Sequence, residues 1–242
     1  MTTALVAMLL FSGNFERARA MLKTFQYIPN MLSKSRYNRR LHRIENLFLT
    51  LFNLLGQTWK QLNNESIYII DSFPVAVCDN YRIPRAKIYH SEEYRGYIPS
   101  KRRYFYGLRI HLMVTKDCRA VEFFLAPGRF ADVDALKVFN FDLPEGSIVY
   151  GDKAYNDYGV EDSLMESSQI QLLPIRKKNS KRGVPAYVAF IQHYYRKMIE
   201  TAGSLIERML PKSIHAVTAK GFELKVVLFV VAYSINYCIN PL

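Results

Sequence analysis

Apolar positions recur at helical spacing through the first quarter of the chain and at strand spacing after it. Residues 1–64 read as wholly helical. An apolar helix comes first, Asn14 caps a second through Arg17, Ala20, Met21 and Phe25, and Pro29 closes that segment. Ile44, Leu47, Phe48, Leu51, Leu54 and Leu55 then share one face of a helix, and residues 33–43 supply its cationic amino-terminal turns. From Ser66 the period changes. Residues 66–71 and 147–152 are short apolar runs that each end in an aspartate, as strands buried on both faces would. Tyr104, Tyr106, Leu108, Ile110, Leu112 and Val114 alternate along one strand face with Arg109 and His111 opposite. A turn at 116–119 pairs that strand with 121–125. A short helix over 132–139, a helix from about Asp157 to Met165, a strand near 171–175 and a long helix from Pro185 to Leu210 complete the pattern before a last apolar helix.

Strand, hairpin, helix, strand, helix, strand, helix predicts an α/β fold, a ribonuclease H-like mixed sheet flanked by helices. The expected division is a small all-helical, DNA-binding region over 1–64 and a catalytic domain over 65–242. The block 226–239 is shorter than a bilayer requires and contains Ser234 and Asn236, so it reads as a buried terminal helix with no role for a membrane.

Charge narrows the partner. Thirty-three Lys and Arg against 21 Asp and Glu leave a formal charge of +12, which favours a polyanion. Aromatics make up 14% of the chain, and tyrosines interleave with the cations, which favours nucleic acid over a membrane surface. Arg36, Arg39, Arg40 and Arg43 mix with Ser, Tyr and Asn at a helix start, a pattern that suits phosphate gripping or groove reading as well as a plain solvated face. Arg82, Arg85, Lys87, Arg95, Lys101, Arg102 and Arg103 follow the first strand, and Arg176, Lys177, Lys178, Lys181 and Arg182 precede the long helix. Both segments adjoin the same strand ends and would track a phosphate backbone. Three widely spaced cysteines without a C-x-x-C pair indicate a reducing compartment and no structural zinc.

The chemistry falls to acids. Asp71 and Asp152 end similar strands, and the long helix carries Glu200 at the edge of a stripe made by Ile191, Tyr195, Met198, Ala202, Leu205 and Met209. Each acid alone could be a turn residue or a solvated charge. Together they make a hard-oxygen set suited to two Mg2+, with Mn2+ as a substitute. Glu207 competes for the third place, Gly203 suggests a close approach to the helix, and Arg196 shares a side with Glu200. Asp132 and Asp134 are assigned to charging a helix start, His111 to packing or a sugar contact, and Cys118 to a turn position that prefers glycine.

Residues 69–72 (Ile-Ile-Asp-Ser), 106–111 (Tyr-Gly-Leu-Arg-Ile-His), 151–155 (Gly-Asp-Lys-Ala-Tyr) and 196–201 (Arg-Lys-Met-Ile-Glu-Thr) resemble the ordered blocks of bacterial insertion-sequence transposases of the DDE class. Among these it resembles the insertion sequence 982 family, related to the insertion sequence 4 type. The resemblance covers residues 66 to the end, and residues 35–43 also resemble the basic helix ahead of that domain. It implies that Asp71, Asp152 and Glu200 form a metal-binding catalytic triad and that Tyr155 and Arg196 support the second and third acids or the DNA; Lys153 and Lys197 beside them are further DNA-contact candidates. It also implies cleavage and joining of double-stranded DNA at terminal inverted repeats and at a target, a homodimer when ends are synapsed, and a cytoplasmic, nucleoid-associated bacterial protein. His193 and Glu207 stand where some relatives have Tyr and Lys, Cys118 where relatives have glycine, and the region ahead of the basic helix is shorter than theirs. Two rival readings are a degenerate or truncated transposase that only binds DNA and a structure-selective nuclease of the same fold.

Overall fold

The change of period at Ser66 is where helices give way to sheet. The computed structural model describes residues 1–176, 180–211 and 214–239, without the side chains of Ser100, Ile199 and Ala202. Before Ser66 stand α1 (Thr2–Phe11), α2 (Phe15–Thr24), α3 (Lys34–Arg43) and α4 (Glu45–Gln61). The Asn14 side chain accepts a hydrogen bond from the Arg17 amide at 3.1 Å, the cap expected for α2.

The basic segment and the leucine-rich helix are two helices rather than one. The backbone leaves helical geometry at Ile44 (φ −104°, ψ 15°), so the arginines have their own helix, α3, seated through Tyr37 and Leu41. The expected stripe on α4 is also displaced. Leu47 and Leu54 are exposed, and Phe48, Phe52, Gly56 and Lys60 face inward. Gly56 explains the shift: a Cβ there would lie 2.6 Å from the Val121 carbonyl, so the helix rests on the sheet backbone at this point.

The sheet contains β1 (Ile67–Ala76), β2 (Arg95–Ile98), β3 (Arg103–Thr115), β4 (Ala120–Pro127), β5 (Ile148–Gly151) and β6 (Gln171–Pro174). Its order is β4-β3-β1-β5-β6, with β2 added against the start of β3. The β3 strand runs antiparallel to both β4 and β1, whereas β1, β5 and β6 run parallel. This is the expected ribonuclease H-like sheet. The short β2 was not expected, because its four residues, Arg-Gly-Tyr-Ile, pass for loop until β3 is there to pair them. Cys118 sits in the β3–β4 turn at φ 64°, the left-handed position that favours glycine.

Helices cover both faces. Ile69, Phe73, Leu108, Ile110, Leu112 and Val114 pack against Phe48 and Phe52 of α4 and against Phe222 and Phe229 of α8 (Ala219–Ile239). Ile191, Tyr195, Met198, Leu205 and Met209 of α7 (Ala186–Met209) join that side. The opposite face holds Tyr68, Ile70, Met113, Val149 and Leu172, with Tyr155, Phe139 and Leu164 of α6 (Tyr158–Ser168). The expected helix over 132–139 shrinks to α5 (Asp132–Ala135). By length and composition α8 could cross a membrane, yet most of its apolar stretch is buried in this core.

Candidate active site

Asp71 owes its position to a mismatch between the two neighbours of β1. On one side β1 pairs with β3 from Tyr68 to Ala76, so Asp71 is not the end of its strand as the sequence suggested. On the other side the parallel pairing with β5 stops at Ile70 opposite Gly151. Asp71 and Asp152 are therefore the next residues of two adjacent parallel strands, at the carboxyl edge where β5 ends. Gly151 keeps the approach tight, since a Cβ there would meet Ile70 and Tyr155 at 3.2 Å.

Glu200 comes from α7, which packs on β1 and β5. It does not face the aspartates directly. Its side chain is 58% exposed, and Oε1 accepts a hydrogen bond from Arg196 Nε at 3.0 Å. The same guanidinium places Nη1 3.6 Å from Asp152 Oδ1, so Arg196 stands between the second and third acids. Glu207, the competitor, is exposed two turns on. The close approach expected at Gly203 does not occur: a Cβ would meet only Phe73, at an ordinary 3.8 Å.

A fourth acid lies closer to Asp71 than sequence reasoning placed it. The Ser72 amide donates to Asp71 Oδ1 at 2.7 Å, while the Ser72 hydroxyl donates to Asp132 Oδ1 at 2.5 Å. Arg109 Nη1 donates to Ser72 Oγ at 3.0 Å and to Asp132 Oδ1 at 3.3 Å. His111 is fully buried, stacked on Phe124 at 4.8 Å, with Nδ1 3.8 Å from the same Asp132 oxygen. The available signal was Arg109 itself: a guanidinium on a strand covered on both faces requires an acid, and Asp132 is a nearby downstream candidate.

Electrostatics follow from this crowding. Burial pushes the Asp71 carboxyl up to about 7. The Ser72 amide and Arg196 pull it down, whereas Asp132 and Asp152 push it further up. Burial lowers His111 to about 4, with Asp132 opposing and Arg109 reinforcing the shift, so the ring is neutral at pH 7. Burial also raises the Tyr155 hydroxyl well above its usual value, and Asp132 and Asp71 add to it.

The cationic expectations divide. Arg36, Arg39, Arg40, Arg43, Arg102, Arg103, Lys153 and Lys197 are exposed, and Lys153 and Lys197 adjoin the acid site in sequence. Tyr155 is fully buried beneath the acids and has no surface for DNA. Arg176 makes a bidentate pair with buried Glu161 at 2.6 and 2.7 Å, and Arg182 holds Asp162 at 2.8 Å through both nitrogens, so these two arginines are engaged within the protein. Lys177 and Lys178 lie outside the described residues. A cleft of about 600 Å3 opens beside Asp132 and Ala154, lined by Arg95, Arg109, Arg129, Tyr97 and Tyr104. Arg95 lies over the Tyr104 ring at 4.2 Å.

Two adjacent carboxylates are a suitable donor set for a hard divalent cation, and Asp152 Oδ1 is buried without a hydrogen-bond partner. Among the described residues no group of three or more His, Cys, Asp or Glu side chains is arranged to hold a cation, and Arg196 engages Glu200 and lies against Asp152. Comparison with curated proteins and with solved structures finds no match. A family model described as Transposase DDE domain matches residues 61–214, well over half of the chain and all of the site just described. The chain therefore belongs to the transposase DDE domain family, with DNA as the substrate that this domain implies.

Proposed function

We propose that the protein cleaves and joins DNA at the terminal inverted repeats of its own insertion sequence, with Asp71, Asp152 and Glu200 as the metal-binding catalytic acids. The observation that carries this reading is the register of β1 on β5, which sets two aspartates side by side where the parallel ladder ends. Two Mg2+ ions, or Mn2+ in their place, would supply charge neutralisation for the attacking and leaving oxygens of an in-line displacement. Asp71 and Asp152 would hold the cations, and Glu200 would complete the set once Arg196 releases it.

The exposed arginines of α3 and the cations at 102, 103, 153 and 197 would grip phosphates and orient the scissile bond against the acids. Arg196, freed from Glu200, has a DNA phosphate as its natural new partner. Ends are held in pairs during joining, which calls for a homodimer, and the chemistry belongs in the bacterial cytoplasm on the nucleoid.

The test uses purified protein, Mg2+ or Mn2+, and a duplex ending in the repeat that borders the reading frame. The expected result is a nick at the repeat end followed by joining to target DNA. Asp71→Asn, Asp152→Asn and Glu200→Gln should each lower the rate by about 1,000-fold or more, the scale of losing charge stabilisation at a reacting phosphate. A parent protein that neither nicks nor joins, or an Asp71→Asn variant as active as the parent, sinks the proposal. Cleavage of branched DNA without repeat sequence and without joining would instead select the nuclease.

A further inference from the structure

Asp132 was expected only to charge a helix start, but the α5 it opens has four residues, too few to need or sustain that role. What the structure gives Asp132 instead is a chain of contacts ending on Asp71. One oxygen accepts hydrogen bonds from the Ser72 hydroxyl and Arg109, and Nδ1 of the neutral His111 ring lies 3.8 Å from it. Ser72 in turn sends its amide to Asp71 Oδ1. Asp132 is 20% exposed, Arg109 15% and His111 fully buried.

We propose that Asp132 is a positioning residue of the acid site: through Ser72 it fixes the orientation of Asp71, and its charge strengthens cation binding at Asp71 and Asp152. The inference rests on the reading of those two aspartates as cation ligands. A buried Arg109–Asp132 pair could serve stability alone, and two features point further. First, Ser72 uses its hydroxyl for Asp132 and its amide for Asp71, so moving one carboxylate disturbs the other. Second, Asp132 lies within electrostatic reach of Asp71 at a cluster served, among the described residues, by only two guanidiniums, Arg109 and Arg196, the latter shared with Glu200. His111 adds no cation there, because its ring is buried between Phe124 and Phe130 and neutral.

The experiment measures Mn2+ binding to the full chain by calorimetry, with thermal unfolding in EDTA run in parallel. Asp132→Asn keeps the shape and removes the charge, and should bind Mn2+ about tenfold more weakly, the usual scale for a group behind a metal ligand. Ser72→Ala should weaken binding in the same direction, and Asp134→Asn, an exposed neighbour, should stay within twofold of the parent. A purely structural role would lower the unfolding temperature and leave Mn2+ affinity untouched. Parent-like affinity in Asp132→Asn overturns the inference, and if that variant fails to fold, parent-like affinity in Ser72→Ala does so. If the parent binds Mn2+ and Asp71→Asn abolishes it while Asp132→Asn does not change it, only this inference is lost. A parent that binds no Mn2+ removes the cation-site reading and this inference with it.

Discussion

Replacing Asp71 with asparagine should stabilise the metal-free protein at alkaline pH, although it removes one of the proposed catalytic acids. The carboxyl rises from an ordinary 3.8 to about 7 because it is buried beside Asp132 and Asp152. A group whose folded value lies above its unfolded one favours folding at low pH. That advantage is lost as pH climbs through the folded value, so the window runs from about pH 4 to above pH 7. The full shift corresponds to about 4 kcal/mol. Asp71 is partly open to water, and screening reduces this to about 1–3 kcal/mol. For a chain of this size that is a rise of roughly 2–10 °C in the unfolding midpoint. Asparagine keeps the shape and can still accept the Ser72 amide. Thermal unfolding followed by circular dichroism in EDTA, from pH 4 to pH 8.5, should show the two proteins converging at the acid end, Asp71→Asn pulling ahead as pH rises from about 4, and its full lead reached above pH 7. Saturating Mn2+ should then reverse the order, because only the parent gains binding energy. Parallel pH curves, or a variant less stable at pH 8, would show that Asp71 is not held in the crowded environment described.

Two helical glycines should respond oppositely to alanine. Gly203→Ala meets only Phe73 at 3.8 Å and should stabilise by about 0.5–1 kcal/mol, whereas Gly56→Ala drives a methyl to 2.6 Å from the Val121 carbonyl and should destabilise, both read by chemical denaturation. Arg196→Gln frees Asp152 and Glu200 from their internal cation and should tighten Mn2+ binding several-fold without DNA while weakening binding to duplex, measured by calorimetry and fluorescence anisotropy. Unchanged Mn2+ affinity would mean that Arg196 does not compete with metal.

Period and punctuation carried most of the fold. The alternation at 104–114, the turn before β4 and the long stripe on α7 each place an element to within a residue or two, because each buries one continuous face. What sequence concealed was governed by partners. The Ile44 break is invisible in a helical pattern that continues across it, and the inward face of α4 is chosen by how closely Gly56 lets the helix sit on β4. In the candidate site, the adjacency of Asp71 and Asp152 was legible from two similar strands, since the expected topology sets those strands side by side. Asp132 was not, because its local signal, an acid opening a short helix, is the same whether or not a serine and an arginine from two strands converge on it. Arg196 was legible as a neighbour of Glu200 at four residues, but its reach to Asp152 depends on how α7 lies across β5.

The sheet itself explains why the acids gather at this point. The β1 strand has an antiparallel neighbour that accompanies it to Ala76 and a parallel one that ends at Gly151, so beyond Ile70 one edge of β1 is open while the other stays tied. A crevice at the carboxyl end of parallel strands, where the neighbours of the central strand part company, is where α/β sheets offer room for a ligand. Here that room is lined by Asp71 and Asp152, backed by Asp132 through Ser72, and entered by Arg196 from α7. The guanidinium supplies positive charge where the acids crowd together. In the proposed mechanism, bringing in a cation and turning Glu200 toward the aspartates would then require the same movement of one arginine side chain.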